Sequence, residues 1–574
     1  MSLAPPALPK ACDVIVVGSG AAGSVAALTA HQLGLDVLLL EKEDHFGGTT
    51  AVSGGWAWLP RSRLASEQGL EDSEQAVLDY LRHSTQGTVN ERILAAFIEE
   101  APKAVAFLHD HTRVRLNCPP HSPDYMREAP GGSAGGRALM CEPLDGRQLG
   151  GALALLQPPL PELTLYGMML GSGRDVLHFY RASRSVRSAA FVAWRLARHA
   201  YDMLLHGRGM TLTNGTALAA RFLLSLKDRA IPIYLGTSVV SLVRENGRIS
   251  GVDAMQGNAV HRICARRGVV LACGGFSRDE ERTREFSHVR SGGFHFPLAP
   301  AGVTGDGLRL AQSVGADIVR RSQPAAWAPV SRVPRADGSS GLFPHFVDRA
   351  KPGVIAVDRD ARRFVNEATN YHGFVQALQA TAGPGRPPRA FLIADARAIR
   401  WYGLGAVAPA PVSRARFIRS GYLHKAPTVN ALAHKLQLDP TELAATVERF
   451  NIGAAQGLDP DFGRGSTEHN RYMGDAWITP NPCLRPLDQP PFYAVEIQIG
   501  DLGTFSGVST DEGARALDSN GLAIAGLYVA GNDMASCMGG SYPGAGATIG
   551  AALVFGRIAA QTIFSDTAAM VPSA

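Results

Sequence analysis

The run Asp13-Val-Ile-Val-Val17 leads directly into Gly18-Ser-Gly20-Ala-Ala-Gly23, then an Ala-rich stretch to Gly34 and a second apolar run, Val37 to Leu40, that ends in Glu41. This order predicts strand, glycine turn, helix and strand, the opening of a parallel α/β unit. Gly18 permits the tight turn, Gly20 lets the backbone approach a pyrophosphate at the helix N-terminus, and Gly23 lets helix and strand pack closely. Glu41, eighteen residues beyond Gly23, stands where an acid can bond ribose hydroxyls. A strand-to-helix turn that needs small residues for packing alone is the plainer alternative. The pattern returns near the end of the chain. Leu527-Tyr-Val-Ala-Gly531 reads as a strand running into a glycine, and Gly544-Ala-Gly546 introduces a small-residue helix from Ala547 to Thr562.

A length of 574 residues exceeds one ordinary core and predicts two or more domains. A hydrophobic share of 45% with 63 glycines excludes disorder as the main state, and a net charge of +5 is too dilute for a nucleic-acid footprint. The seven cysteines are scattered, without a C-x-x-C pair, which suits a reducing compartment and gives no metal site. Met1 to Lys10 lacks the basic and apolar regions of a signal peptide, and no window holds eighteen uninterrupted apolar residues. The expected address is the cytoplasm, with peripheral contact at the inner face of the membrane as an option.

That option comes from residues 151–230, where ten Lys or Arg face four acids. Within them Ala189 to Leu205 mixes Phe191, Trp194, Leu204 and Leu205 with Arg195 and Arg198, a basic, apolar-rich helix. It can lie on a membrane, line a route for a greasy substrate, or simply cover the core. Elsewhere, the spacing predicts helix over 72–112, strands over 231–243 and 249–254 around the turn Glu245-Asn-Gly-Arg248, a strand ending at Ala272, and helices over 308–314 and 441–451, the last capped by Asp439. The expected fold is α/β. A discontinuous Rossmann-like dinucleotide domain, 1–320 and 500–574, carries an inserted α+β catalytic domain, 321–499.

With Gly47-Gly-Thr-Thr-Ala-Val-Ser-Gly-Gly55, Ala272-Cys-Gly-Gly275, Thr304-Gly-Asp-Gly307 and Tyr528-Val-Ala-Gly-Asn532 added, the chain resembles the flavoprotein superfamily of fumarate reductases and 3-ketosteroid dehydrogenases. The resemblance implies FAD. It sets Gly18, Ser19, Gly20, Ala22, Gly23, Glu41, Lys42, Gly48, Thr49, Thr50, Ser53, Gly54 and Gly55 along the cofactor and the backbone of Val239 at the adenine. Gly274, Asp306, Gly531, Gly546, Ala547 and Thr548 complete the set, with Asn532 and Ile549 at the isoalloxazine end. Relatives that attach FAD covalently use a His in the segment matching Thr49 to Gly55; none occurs here, so noncovalent FAD is expected.

On the substrate side the chain lacks the His and Arg that fumarate reductases carry at the stretch matching Cys537 to Ile549. Ser541-Tyr-Pro-Gly-Ala-Gly546-Ala-Thr-Ile-Gly550 instead resembles 3-ketosteroid Δ1-dehydrogenases, departing at Ala545, where that family often has proline. The resemblance implies that Tyr542 and Gly546 hold the keto oxygen, that Tyr371 is the base, and that Tyr125 is the third tyrosine. The chemistry suits these groups: a hydroxyl and an N–H aimed at the ketone stabilise a developing enolate, and a Tyr base needs a partner that favours phenolate. His372 is the alternative base. Cys273 and Cys537 read as small buried residues. The implied reaction is 1,2-desaturation of a 3-ketosteroid by FAD, with an electron acceptor that the sequence does not name. Rivals are 4,5-dehydrogenation of a steroid, desaturation of a smaller cyclohexanone, a fumarate-type reductase using Arg359, Arg362 and Arg363, and a non-catalytic flavin protein on a membrane.

Overall fold

The computed structural model describes residues 7–287, 295–383 and 387–568. The first six residues, part of the start read above as carrying no leader, lie outside them. Strand β1 (Ala11–Val17), the first helix (Ala21–Gln32) and β2 (Val37–Leu40) form the expected opening unit. Gly18 has a φ of +107°, and a Cβ there would lie 2.2 Å from the Ala272 carbonyl oxygen. Only glycine turns the chain this way so close to a neighbouring strand.

The sheet is completed by β3 (Ile233–Tyr234), β4 (Thr237–Glu245), β5 (Arg248–Gln256) and β6 (Ala259–Leu271), in the order β3-β2-β1-β6-β5-β4. The single strand expected over 231–243 is therefore two strands at opposite edges. Gly236, at φ +62°, divides them. The β4–β5 hairpin turns at Asn246 and Gly247, both at positive φ, as Asn-Gly requires. The helix expected over 72–112 is likewise two, Glu74–Thr85 and Glu91–His111: Gln86 adopts a left-handed cap and Asn90 starts the second helix by accepting the Arg92 N–H.

A second sheet is antiparallel, with β7 (Ala325–Pro334), β8 (Ser340–Pro344), β9 (Val354–Asp358), β10 (Ala390–Ala394), β11 (His424–Ala426) and β12 (Phe492–Thr504) in the order β8-β7-β12-β10-β9, and β11 also on β12. Asp439 caps the helix Pro440–Ala455 through the amides of Thr441 and Glu442. The chain then returns to the first sheet. β13 (Arg515–Leu517) pairs with β14 (Ala523–Val529), which lies parallel to β6 with Val269 opposite Leu527. The last helix, Ala547–Ala568, packs on the first: a Cβ at Gly556 would lie 2.4 Å from the Ala22 carbonyl oxygen. Its stretch Ala547–Asp566 is long and apolar enough to cross a membrane, yet 67% of its most apolar part is buried in the core.

The basic helix runs from Val186 to His206, and its polarity is inverted. It buries Ser188, Arg195, His199 and Asp202 while Val186 and Leu204 are 89% and 83% exposed. Trp194, Tyr201 and Leu205 also face outward. The inward polar stripe pins the preceding loop: Arg195 pairs with Asp175 and donates to the Met169 carbonyl, and His199 bonds the Tyr166 carbonyl.

Candidate active site

One cavity of about 950 Å³ is bordered by every residue expected at cofactor or ketone except Gly23 and Ala547. Gly23 lies beneath the turn, where a Cβ would strike the Gly18 carbonyl, and Ala547 is buried at the start of the last helix.

At the dinucleotide end, Glu41 Oε2 accepts both the backbone N–H and the hydroxyl of Ser19, at 2.9 and 2.6 Å, and Oε1 accepts the Glu43 N–H. The Ser19 hydroxyl in turn accepts the Gly47 N–H, so β2 and two glycine loops meet at one carboxylate. Thr50 Oγ1 accepts the Ala21 N–H at the first helix's N-terminus. Nothing but that Thr50 oxygen, at 3.6 Å, stands within 4 Å of a Cβ placed on Gly20. The space over Gly20 is thus open to a ligand. The buried Thr49 hydroxyl has no partner among the described residues, and Lys42 Nζ bonds Thr304 and Asp306 at 2.9 and 2.5 Å. An open helix N-terminus, an orphaned hydroxyl and an acid at the end of β2 fit a dinucleotide.

Sequence reasoning missed Asp533. Its buried carboxylate accepts the N–H groups of Cys273 and Gly275, fixing the Gly274 loop, and burial pushes its pKa up to about 6. Its position directly after Gly531-Asn532 was the available signal.

At the other end three tyrosines converge. The Tyr371 ring lies 5.0 Å from that of Tyr542 and 5.6 Å from that of Tyr125, edge-on to both. Tyr371 starts a helix, Tyr371–Ala380, capped by Asn370. Gly546 has a φ of +85°, a Cβ there would lie 2.3 Å from the Trp56 carbonyl, and its N–H has no partner among the described residues. Ala545 does not leave this loop free. Pro543 O accepts the Tyr80 hydroxyl and the Tyr125 N–H, and Gly546 O accepts the Trp58 N–H. Buried Asp124 holds Tyr125 from the other side through Trp58 Nε1, Arg137 and the Ser133 N–H, a network that no motif announced.

Burial raises the pKa of all three tyrosines. His372 is no base in this arrangement. Its Nδ1 accepts the Trp327 N–H, its Nε2–H points to the Gly540 carbonyl, and burial lowers its pKa to about 4. Arg363 is spent on Glu367 and Asp459 and Arg362 on Glu442; neither they nor Arg359 border the cavity, so the reductase reading loses its arginines. Cys537 is a buried thiol pushed up to about 12, and burial raises Cys273 as well.

The FAD binding domain family matches residues 13–549. The chain is 40% identical to a 4-oxocyclohex-2-ene-1-carboxylate 5-dehydrogenase of Sinomonas cyclohexanicum, covering 96% of this chain and 94% of that one. It is 35% identical to a 3-oxosteroid 1-dehydrogenase of Mycobacterium tuberculosis, over 96% and 98%. The crystal structure of 3-ketosteroid delta1-dehydrogenase from Sterolibacterium denitrificans in complex with 1,4-androstadiene-3,17-dione superimposes with a TM-score of 0.90 at 34% identity, covering 97% of this chain and 100% of that one.

Proposed function

The chain belongs to the FAD binding domain family, and from that premise we propose how its own residues dehydrogenate a cyclic ketone. Tyr542 O–H and Gly546 N–H hold the ketone oxygen, and each donor aimed at the developing enolate is worth about 3 kcal/mol. Tyr371, held between Tyr125 and Tyr542, takes the proton from the carbon next to the carbonyl. FAD held noncovalently over Gly20, with Glu41 and Thr49 beside it, would supply the two-electron oxidant for the hydride lost from the neighbouring carbon. The observation that carries this reading is the convergence of the Tyr371 and Tyr542 rings beside the unpartnered Gly546 N–H, in the cavity that also holds the dinucleotide cradle.

The ring system has two readings. A 3-ketosteroid desaturated at its 1,2-position is supported by the steroid-dehydrogenase relative and by the size and apolar lining of the cavity. A one-ring ketone carrying a carboxylate is supported by the relative of highest identity named above and by cations in the cavity wall. Anaerobic mixing of the holoenzyme with a Δ4-3-ketosteroid and with 4-oxocyclohexanecarboxylate tests the reaction. Flavin bleaching with a product two hydrogens lighter supports it; no bleaching by either ketone, with reoxidation of reduced flavin by fumarate, overturns it.

The base also dictates a pH profile. A tyrosine whose folded pKa is raised above 10 is ionised in a fraction that grows about tenfold per pH unit below that value. The rate of flavin reduction should therefore climb from pH 7 to pH 10 without levelling. A plateau beginning below pH 9 in stopped-flow traces would assign proton removal to another group.

The inverted helix Val186–His206 supports a peripheral contact with an anionic membrane. Its outward Trp194, Tyr201, Leu204 and Leu205 have no core to join, and the surrounding segment is strongly basic. Leu163 to Gly167 and, on the short helix beside it, Val176, Leu177, Phe179 and Tyr180 border the cavity, so a ketone dissolved in lipid would meet the mouth directly. The holoenzyme should float with vesicles containing anionic phospholipid, and Leu204→Glu with Leu205→Glu should stay in the dense fraction. An intact protein that never floats ends this reading.

A further inference from the structure

Beside Tyr125, the cavity wall carries polar groups that the reaction does not use. Arg349 and His469 are 0% and 2% exposed, and both border the cavity. Arg349 donates from Nε to the His345 carbonyl at 3.0 Å and from Nη1 to the Glu367 carbonyl, while its Nη2 has no partner among the described residues. His469 has no partner on either ring nitrogen, and its ring lies 4.7 Å from that of Tyr125. Buried donors are almost always matched, so two adjoining side chains with unmatched donors point to something the fold itself does not supply.

The charges indicate what is missing. Among the described residues Arg349 pairs with no carboxylate, and neither does Lys351 next to it on the same wall, whose Nζ is spent on the carbonyls of Met473 and Gly474 at 2.7 and 2.6 Å. The acids nearby are committed elsewhere. Glu367 is held by Arg363 and Arg464, and Asp475 by Arg184 and the Tyr402 hydroxyl. Asp348 borders the cavity too, but its Oδ2 is taken by His345 Nδ1 and the Gly405 N–H, and only its Oδ1 is free. Two cations thus share this wall with one carboxylate. His469 adds a neutral imidazole, since burial and the nearby guanidinium lower its pKa to about 3. A neutral imidazole presents one N–H donor.

We infer that Arg349 Nη2 and the His469 N–H form a subsite for a carboxylate on the substrate ring. A carboxylate there accepts one bond from each donor and supplies the charge that the buried guanidinium lacks. A neutral ring would fill the volume and leave that charge uncompensated. The subsite rests on the reading of the chain as a ketone dehydrogenase and selects the one-ring acid between its two ring systems. Lys351, whose donors point away, strengthens the field without touching the ligand.

The test compares 4-oxocyclohexanecarboxylate with its methyl ester, which keeps ring and ketone and removes the charge. Binding is read from perturbation of the flavin spectrum in Tyr371→Phe holoenzyme, which holds ligand without turnover. The acid should bind at least about 30-fold more tightly than the ester, and His469→Phe should cut that preference about tenfold, one charge-assisted bond's worth. Arg349→Lys, checked for FAD content and melting temperature, should cut it further. Equal binding of acid and ester to the unsubstituted site, or an unchanged preference in His469→Phe, overturns the subsite. Failure of the parent reading looks different: the acid perturbs the flavin of the unsubstituted enzyme but never bleaches it.

Discussion

Tyr542→Phe slows flavin reduction by ketone about 100-fold and leaves the cofactor bound, because one preorganised donor to a developing oxyanion is worth about 3 kcal/mol. The substitution removes only a hydroxyl. The ring remains packed 5.0 Å from Tyr371 and 6.2 Å from Phe505, and the loop behind it stays tied through Pro543 and Gly546 to Tyr80, Tyr125 and Trp58. Substrate affinity should change much less than the rate, since a neutral ketone accepts a weaker hydrogen bond than an enolate. Single-turnover mixing over a range of ketone concentrations separates the two. A rate within a factor of two of the parent would remove Tyr542 from the keto clamp.

The second large effect separates two glycines of one motif. Gly20→Val yields a folded, colourless protein, because a Cβ there meets nothing closer than 3.6 Å and the added methyls occupy the space left for the pyrophosphate. Gly18→Ala fails earlier: its Cβ would overlap the Ala272 carbonyl at 2.2 Å on a backbone at φ +107°. The expected pair is a cooperative thermal transition without bound flavin for Gly20→Val and little soluble protein for Gly18→Ala. A yellow Gly20→Val holoenzyme would move the cofactor away from this turn.

What was legible in the sequence is what glycine and strand patterns encode. Gly18, Gly23 and Gly546 stand where the backbone leaves no room for a side chain, so their spacing carried the site. The break at Gly236 was harder to see, because the apolar residues on both sides of it are alike; only pairing partners separate β3 from β4. The polarity of the helix Val186–His206 was invisible for a related reason. Periodicity reports that two faces differ, whereas their direction depends on Asp175 and the loop carbonyls that receive Arg195 and His199. Arg349 and His469 lie in no motif. Their distinction is that Arg349 Nη2 and the His469 ring nitrogens find no partner among the described residues, a property of the packed interior and of no local stretch.

The Asp533 carboxylate that gathers the Cys273 and Gly275 amides acts across 260 positions of chain. During synthesis, therefore, the edge of β6 and the turn at Gly18 leave the ribosome long before β14 and the last helix exist to cover them. Until they do, β6 presents an open parallel edge of the kind that invites pairing with other chains.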